Sequence, residues 1–129
     1  METHGEVLIA DGDPSIRHLL AMIVRRLPRR PVDAGDGRSA LALLQTHSFD
    51  AVILELILPE IAGTDVLAYL EREQPEMLPR VIVVTTVAAR QWSACTPMHA
   101  VGAVLPKPFA VDDLQRALHR CCDGPVRVY

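Results

Sequence analysis

Short aliphatic runs alternate with segments of helical period five times along this chain, and no other feature constrains its fold as strongly. Val7-Leu8-Ile9-Ala10 is apolar at every position, which reads as a strand covered on both faces. Asp50 to Glu55 and Val81 to Thr85 read the same way, the latter being the most β-prone stretch of the chain. Ala103-Val104-Leu105 is a fifth strand, and Val32-Asp33-Ala34 a short, weakly marked second. Between the first two, Ile16, Leu19, Leu20, Ile23 and Leu27 recur at helical spacing, with Asp13 as cap, Pro14 as first position and Pro28 as stop. Arg17, Arg25 and Arg26 lie off that stripe. A second helix opens at Asp36-Gly37-Arg38-Ser39 and turns Ala40, Leu41 and Leu44 inward. A third carries Val66, Leu67 and Leu70, and Val111, Leu114 and Leu118 mark the last, capped near Asp112-Asp113 and ended by Gly124-Pro125. Pro97 interrupts the fourth helical segment, which is expected to be short or irregular.

Buried strands alternating with helices predict an α/β fold, a five-stranded parallel sheet with helices on both faces. At 129 residues the whole chain, 1–129, is expected to form one domain that buries a core without disulfides or structural metal. The net charge of −3 supplies no basic field for nucleic acid or an anionic membrane. No apolar run reaches the ~18 residues of a membrane span, and Met1 to Glu6 is polar rather than signal-like. Cys95, Cys121 and Cys122, an odd count with no Cys-x-x-Cys, are expected to be buried thiols in a reducing cytoplasm. The five histidines are scattered and give no metal-ligand spacing.

Ligands of an open parallel sheet bind outside the carboxyl ends of its strands. Asp11 and Asp13 follow the first strand, Glu55 ends the third, Thr85 and Thr86 end the fourth, and Lys107 follows the fifth. Three acids, hydroxyls and an amine are therefore expected at one edge. Lys107 is the only lysine among 13 basic residues; elsewhere the chain uses arginine. A compact ammonium on a flexible stem reaches a point acceptor in a narrow pocket where a planar guanidinium would not fit.

From Val7 to Leu118 the sequence resembles a response-regulator receiver domain of two-component signalling. The resemblance is carried by Val7 through Pro14, by Asp50 through Glu55 with Leu58-Pro59 and Gly63, by Val83-Val84-Thr85, and by Lys107-Pro108-Phe109. It implies the flavodoxin-like (βα)5 fold with strand order 2-1-3-4-5. It also implies an aspartate after strand three that accepts a phosphoryl group from a histidine kinase. Two acids after strand one would hold Mg²⁺, which neutralises developing phosphoryl charge. A Ser or Thr after strand four and a Lys after strand five would contact the phosphate, and an aromatic on strand five would change rotamer and repack the output face.

Set against that pattern, Asp11, Thr85 and Lys107 match. Gly12 occupies the second acid position, and Asp13, one residue later, is expected to cap the helix. Glu55 stands where the acceptor aspartate belongs, Thr86 where a small residue leaves room for phosphate, and Val104 at the switch position. Glycine offers no oxygen to Mg²⁺, so Asp11 alone is expected to hold the ion weakly, and no cofactor is expected. The extra methylene of Glu55 displaces its oxygens by about 1.5 Å, a costly error for in-line phosphoryl transfer. A Glu55–Lys107 contact is expected to hold the pocket in one arrangement, gaining about 4 kcal/mol of Coulomb energy at ~4 Å before desolvation.

The expected function is that of a pseudo-receiver. It is not an enzyme, and it acts by phosphorylation-independent contact with a protein partner, a histidine kinase or a downstream effector. The competing reading is a working phosphoacceptor switched by Mg²⁺-dependent phosphorylation. Trp92, Val104 and Phe109 are expected to share the partner face, with a homodimer through the last helix and strand five as a further arrangement. The Arg25-Arg26-Leu27-Pro28-Arg29-Arg30 cluster reads as a solvated turn, and Glu60 and Asp65 as ordinary acid placement at a helix start. A flavin or nucleotide enzyme is disfavoured: no glycine-rich loop follows strand one, and aromatics are only 4%.

Overall fold

The computed structural model describes residues 5–123. Five parallel strands, β1 (Glu6–Ala10), β2 (Arg30–Ala34), β3 (Ala51–Leu54), β4 (Val81–Thr85) and β5 (Ala103–Pro106), form one sheet in the order β2-β1-β3-β4-β5. The helices are α1 (Pro14–Val24), α2 (Gly37–Thr46), α3 (Gly63–Glu73), α4 (Ala89–Trp92) and α5 (Val111–Asp123). This is the flavodoxin-like (βα)5 arrangement, with the strand order that the resemblance implies.

Strand side chains alternate between faces, so the sheet divides the core in two. Val7, Ile9, Ile53, Ile82 and Val84 pack with Leu20, Ile23 and Val24 of α1 and Leu114 and Leu118 of α5. Leu8, Val52, Leu54, Val81 and Val83 pack on the opposite face with Ala40 and Leu44 of α2 and Val66, Leu67 and Leu70 of α3. The three central strands are buried at every apolar position, as crossover helices on both faces require.

The elements differ from expectation mainly at their ends. α1 stops at Val24 instead of reaching Leu27, because the N–H groups of Arg26 and Leu27 turn to the carbonyls three residues back. Its buried stripe is narrower than the periodicity suggests: Leu20 and Ile23 are buried, whereas Leu19 is 40% exposed. The fourth helical segment is indeed short, a single turn of α4 followed by a 3-10 helix at Thr96–His99 that contains Pro97. A 3-10 helix at Pro75–Arg80 was not foreseen; Pro75 and Pro79 bracket it. The Gly124-Pro125 stop lies outside the described residues.

Candidate functional site

The carboxyl edge of the sheet is assembled by continuing the strand ladders one residue further. Glu55 N–H donates to the Ala10 carbonyl at 3.0 Å and Lys107 N–H to the Thr85 carbonyl at 3.0 Å. In-register pairing of Ala10 with Leu54 and of Thr85 with Pro106 therefore brings Asp11 beside Glu55 and Lys107 beside Thr85. The start of α3 presses on the same spot. A Cβ at Gly63 would lie 2.3 Å from the Glu55 carbonyl oxygen and 2.7 Å from Leu56 Cα, so only glycine lets the helix approach the loop this closely.

Four of the polar residues singled out in the sequence meet here. Lys107 Nζ lies 2.7 Å from Asp11 Oδ2 and 2.8 Å from Glu55 Oε1. The expected Glu55–Lys107 pair is present, but the ammonium is shared with Asp11, a contact the sequence reading did not single out. Thr85 Oγ1 donates to Glu55 Oε2 at 2.5 Å, and the N–H groups of Leu56 and Ile57 donate to the same oxygen at 2.6 and 3.2 Å. Thr85 Oγ1 in turn accepts from Val87 N–H at 3.1 Å, which ties the loop after β4 to the Glu55 carboxylate. Asp11 Oδ1 accepts from Asp13 N–H at 2.9 Å. Asp11, Glu55 and Thr85 are 3%, 5% and 2% exposed, so these bonds stand in for water almost completely.

Burial alone would push the Glu55 carboxyl above its ordinary range. The Lys107 ammonium, the Thr85 hydroxyl and the Ile57 N–H outweigh it and hold the carboxyl below that range. The same balance holds Lys107: desolvation favours the neutral amine, but Asp11 and Glu55 keep it charged and raise its pKa. The site is a half-buried cation held between two buried anions.

Asp13 does not join it. Its side chain accepts from Ser15 N–H at 2.8 Å and caps α1 in the exposed position expected of it. Gly12 is exposed, and a Cβ there would meet the Pro59 ring at 3.2 Å. Thr86 is exposed at the rim of the neighbouring cleft, and Val104 is half-buried on β5. Sequence reasoning missed Arg17, which donates from Nη1 to the Asp11 carbonyl at 2.7 Å and clamps the loop after β1. It also missed the backbone amides of Leu56, Ile57 and Val87, which no residue pattern reports.

The receiver resemblance implies Mg²⁺ at this edge, and the donor set does not fit it. Gly12 contributes no oxygen, and Asp13 is committed to its helix. The carboxylates of Asp11 and Glu55 are both already paired with the Lys107 ammonium. Among the described residues, no group of three or more His, Cys, Asp or Glu side chains is arranged to hold a metal.

The expected partner face divides. Trp92 and Val104 line a cleft between the β4–α4 loop and β5, whereas Phe109 lines a second groove with Ile16 and Leu19 of α1 and Val111 of α5. Trp92 and Val104 pack against one core and Phe109 against the other, so the three do not form one surface. The Trp92 indole N–H is buried without an acceptor, a group of a kind that costs about 1–3 kcal/mol. The arginine cluster is solvated except at Arg29, although two of its members are paired. Arg25 and Arg26 are exposed, but Arg29 lies 2.8 Å from Asp50 and Arg30 2.9 Å from Glu6. Cys121 and Cys122 are buried and Cys95 is half-buried; burial pushes the Cys122 thiol up to about 11.

Comparison with known proteins gives a consistent result. The sequence profile of the response regulator receiver domain matches residues 7–119. The chain is 31% identical over 108 residues to the probable transcriptional regulatory protein TcrX of Mycobacterium tuberculosis, covering 84% of this chain and 45% of that protein. It is 32% identical over 108 residues to the transcriptional activator protein PfeR of Pseudomonas aeruginosa, covering 84% and 34%. It thus spans less than half the length of either relative. Among solved structures, a CheY-like receiver domain protein from Methanospirillum hungatei superposes with a TM-score of 0.84 at 23% identity, covering 94% of this chain and 95% of that one.

Proposed function

Because this chain belongs to the response regulator receiver domain family, we propose that it is a two-component signalling module whose pocket is closed by Glu55 rather than switched by phosphoryl transfer. One observation carries this reading. A single carboxylate accepts from the Thr85 hydroxyl, the Lys107 ammonium and two backbone amides at once. Thr85 and Lys107 match the positions that the family uses to contact phosphate. The longer side chain of Glu55 brings its oxygens to them directly.

A carboxylate so engaged is a poor nucleophile. Attack on phosphorus needs a lone pair aimed along the line of displacement, and a cation to neutralise the incoming oxygens. Glu55 Oε2 already accepts three hydrogen bonds, Oε1 faces the ammonium, and the donors fit no Mg²⁺. The module would act through contact with a protein partner, a histidine kinase or a downstream effector, without turnover of its own. The setting proposed is cytoplasmic; among the described residues no helix is long and apolar enough to cross a membrane.

The test is incubation with a small acyl phosphate and Mg²⁺, followed by intact-mass measurement. The expected result is an unmodified chain. Gain of one phosphoryl group would overturn the reading in favour of a working phosphoacceptor.

A further inference from the structure

We propose that the cleft between the β4–α4 loop and β5 binds a small, neutral aromatic molecule carrying one hydrogen-bond acceptor, a phenol in the simplest case. The cleft is open to solvent on one side and offers about 230 Å³. An apolar cavity of about 150 Å³ takes up a benzene ring, so this one has room for a ring and a short polar substituent.

Its walls set the chemistry. Val104 on the strand, Ala88 on the loop and Ala89 at the start of α4 are small, and leave the space open instead of filling it. Trp92 supplies an aromatic wall against which a second ring stacks or packs edge-on. Thr86 and Lys107 border the cleft and bring hydrogen-bond donors to an otherwise apolar lining. Lys107 has three N–H donors; Asp11 and Glu55 engage it from the site side, which leaves one for an acceptor in the cleft.

Charge decides between acceptors. Asp11 and Glu55 outnumber Lys107 by one negative charge, so a neutral phenol oxygen is accepted where a carboxylate of the same size is repelled.

The chain has one tryptophan, so its indole N–H gives one resolved cross-peak in a ¹H–¹⁵N spectrum. Phenol titrated into the 129-residue chain should shift that peak and the amides of Ala88, Ala89 and Val104 together, along one saturable curve. Benzoate should bind about tenfold more weakly. Val104→Phe, which fills the cleft from the strand side, should abolish the shifts. If that variant does not fold, Ala89→Leu at an exposed position blocks the same space from the loop side and should have the same effect. Non-saturating shifts, shifts scattered over the surface, or saturable shifts that survive the blocking substitution would each overturn the proposal. The phenol titration and its blocking variants do not depend on the Glu55 carboxylate, so their failure leaves the reading of the phosphoacceptor site untouched.

Discussion

Replacing Lys107 by methionine probes the centre of the site with little change in side-chain volume. The ammonium lies 2.7 Å from Asp11 and 2.8 Å from Glu55, and both acids are at least 95% buried. Removing one partner of a buried ion pair costs about 3–5 kcal/mol, because the charge left behind has neither water nor a counter-ion. An unfolding entropy of about 2.1 cal/mol/K per residue gives roughly 0.27 kcal/mol per kelvin for 129 residues. Lys107→Met is therefore expected to lower Tm by about 11–18 °C at pH 7. The sign of the pH dependence provides the sharper criterion. In the parent, Glu55 titrates below its unfolded value of about 4.3, so its stabilisation is complete above that pH and is lost as pH falls through the folded value. Lys107 titrates above its unfolded value, so its contribution is complete below about 10.4 and is lost as pH rises through the folded value. In the variant two carboxylates face each other without a cation, and at least one pKa rises. Its stability should therefore increase as pH falls from 7 to 5, where the parent's is level. Calorimetric melting of both proteins across that range decides the matter. Equal Tm at pH 7, with parallel pH profiles, would refute the shared-ammonium account.

Three further outcomes follow from the same geometry. Thr85→Val removes the donor to Glu55 and the acceptor of Val87 N–H, and should cost about 1.5–3 kcal/mol, seen as a Tm lower by roughly 6–11 °C and as an upward move of the Glu55 carboxyl in a ¹³C titration. Asp13→Ala should cost about 1 kcal/mol, with amide shifts confined to the start of α1; shifts at Glu55 or Lys107 would place Asp13 in the pocket after all. Gly12→Asp combined with Glu55→Asp should create Mg²⁺ binding measurable by calorimetry, whereas Gly12→Asp alone should lose stability against the Pro59 ring and bind none.

Much of this was legible in the sequence because strand register does the assembly. Once the apolar runs are aligned as a parallel sheet, Asp11, Glu55, Thr85 and Lys107 can only fall at one edge. The single lysine among arginines marked the member that reaches into a narrow space. What stayed hidden depends on angles that no residue pattern encodes. Sharing of Lys107 between two acids follows from a side-chain path, and the grip of Arg17 on the Asp11 carbonyl from the path of a loop. The sequence places Phe109 with Trp92 and Val104 only through the resemblance, whose output face is built from the fourth segment, strand five and the last helix. Val104 faces the α2 and α3 layer, however, while the loop carrying Phe109 turns to the α1 and α5 layer. Leu19 fits the helical period and is still exposed, since periodicity gives the direction of a stripe and not the width of the surface that covers it.

A phosphoryl mimic addresses the account most directly. Beryllofluoride with Mg²⁺ can settle on an acceptor carboxylate only if that carboxylate is free and a metal has oxygens to bind. Added to the ¹⁵N-labelled chain, it should leave the amides of Leu56, Ile57, Val87 and Lys107 where they are, because Glu55 already holds the partners it would need. Saturable movement of those same resonances would mean that the carboxylate lets go of Thr85 and Lys107, and the locked pocket would be contradicted.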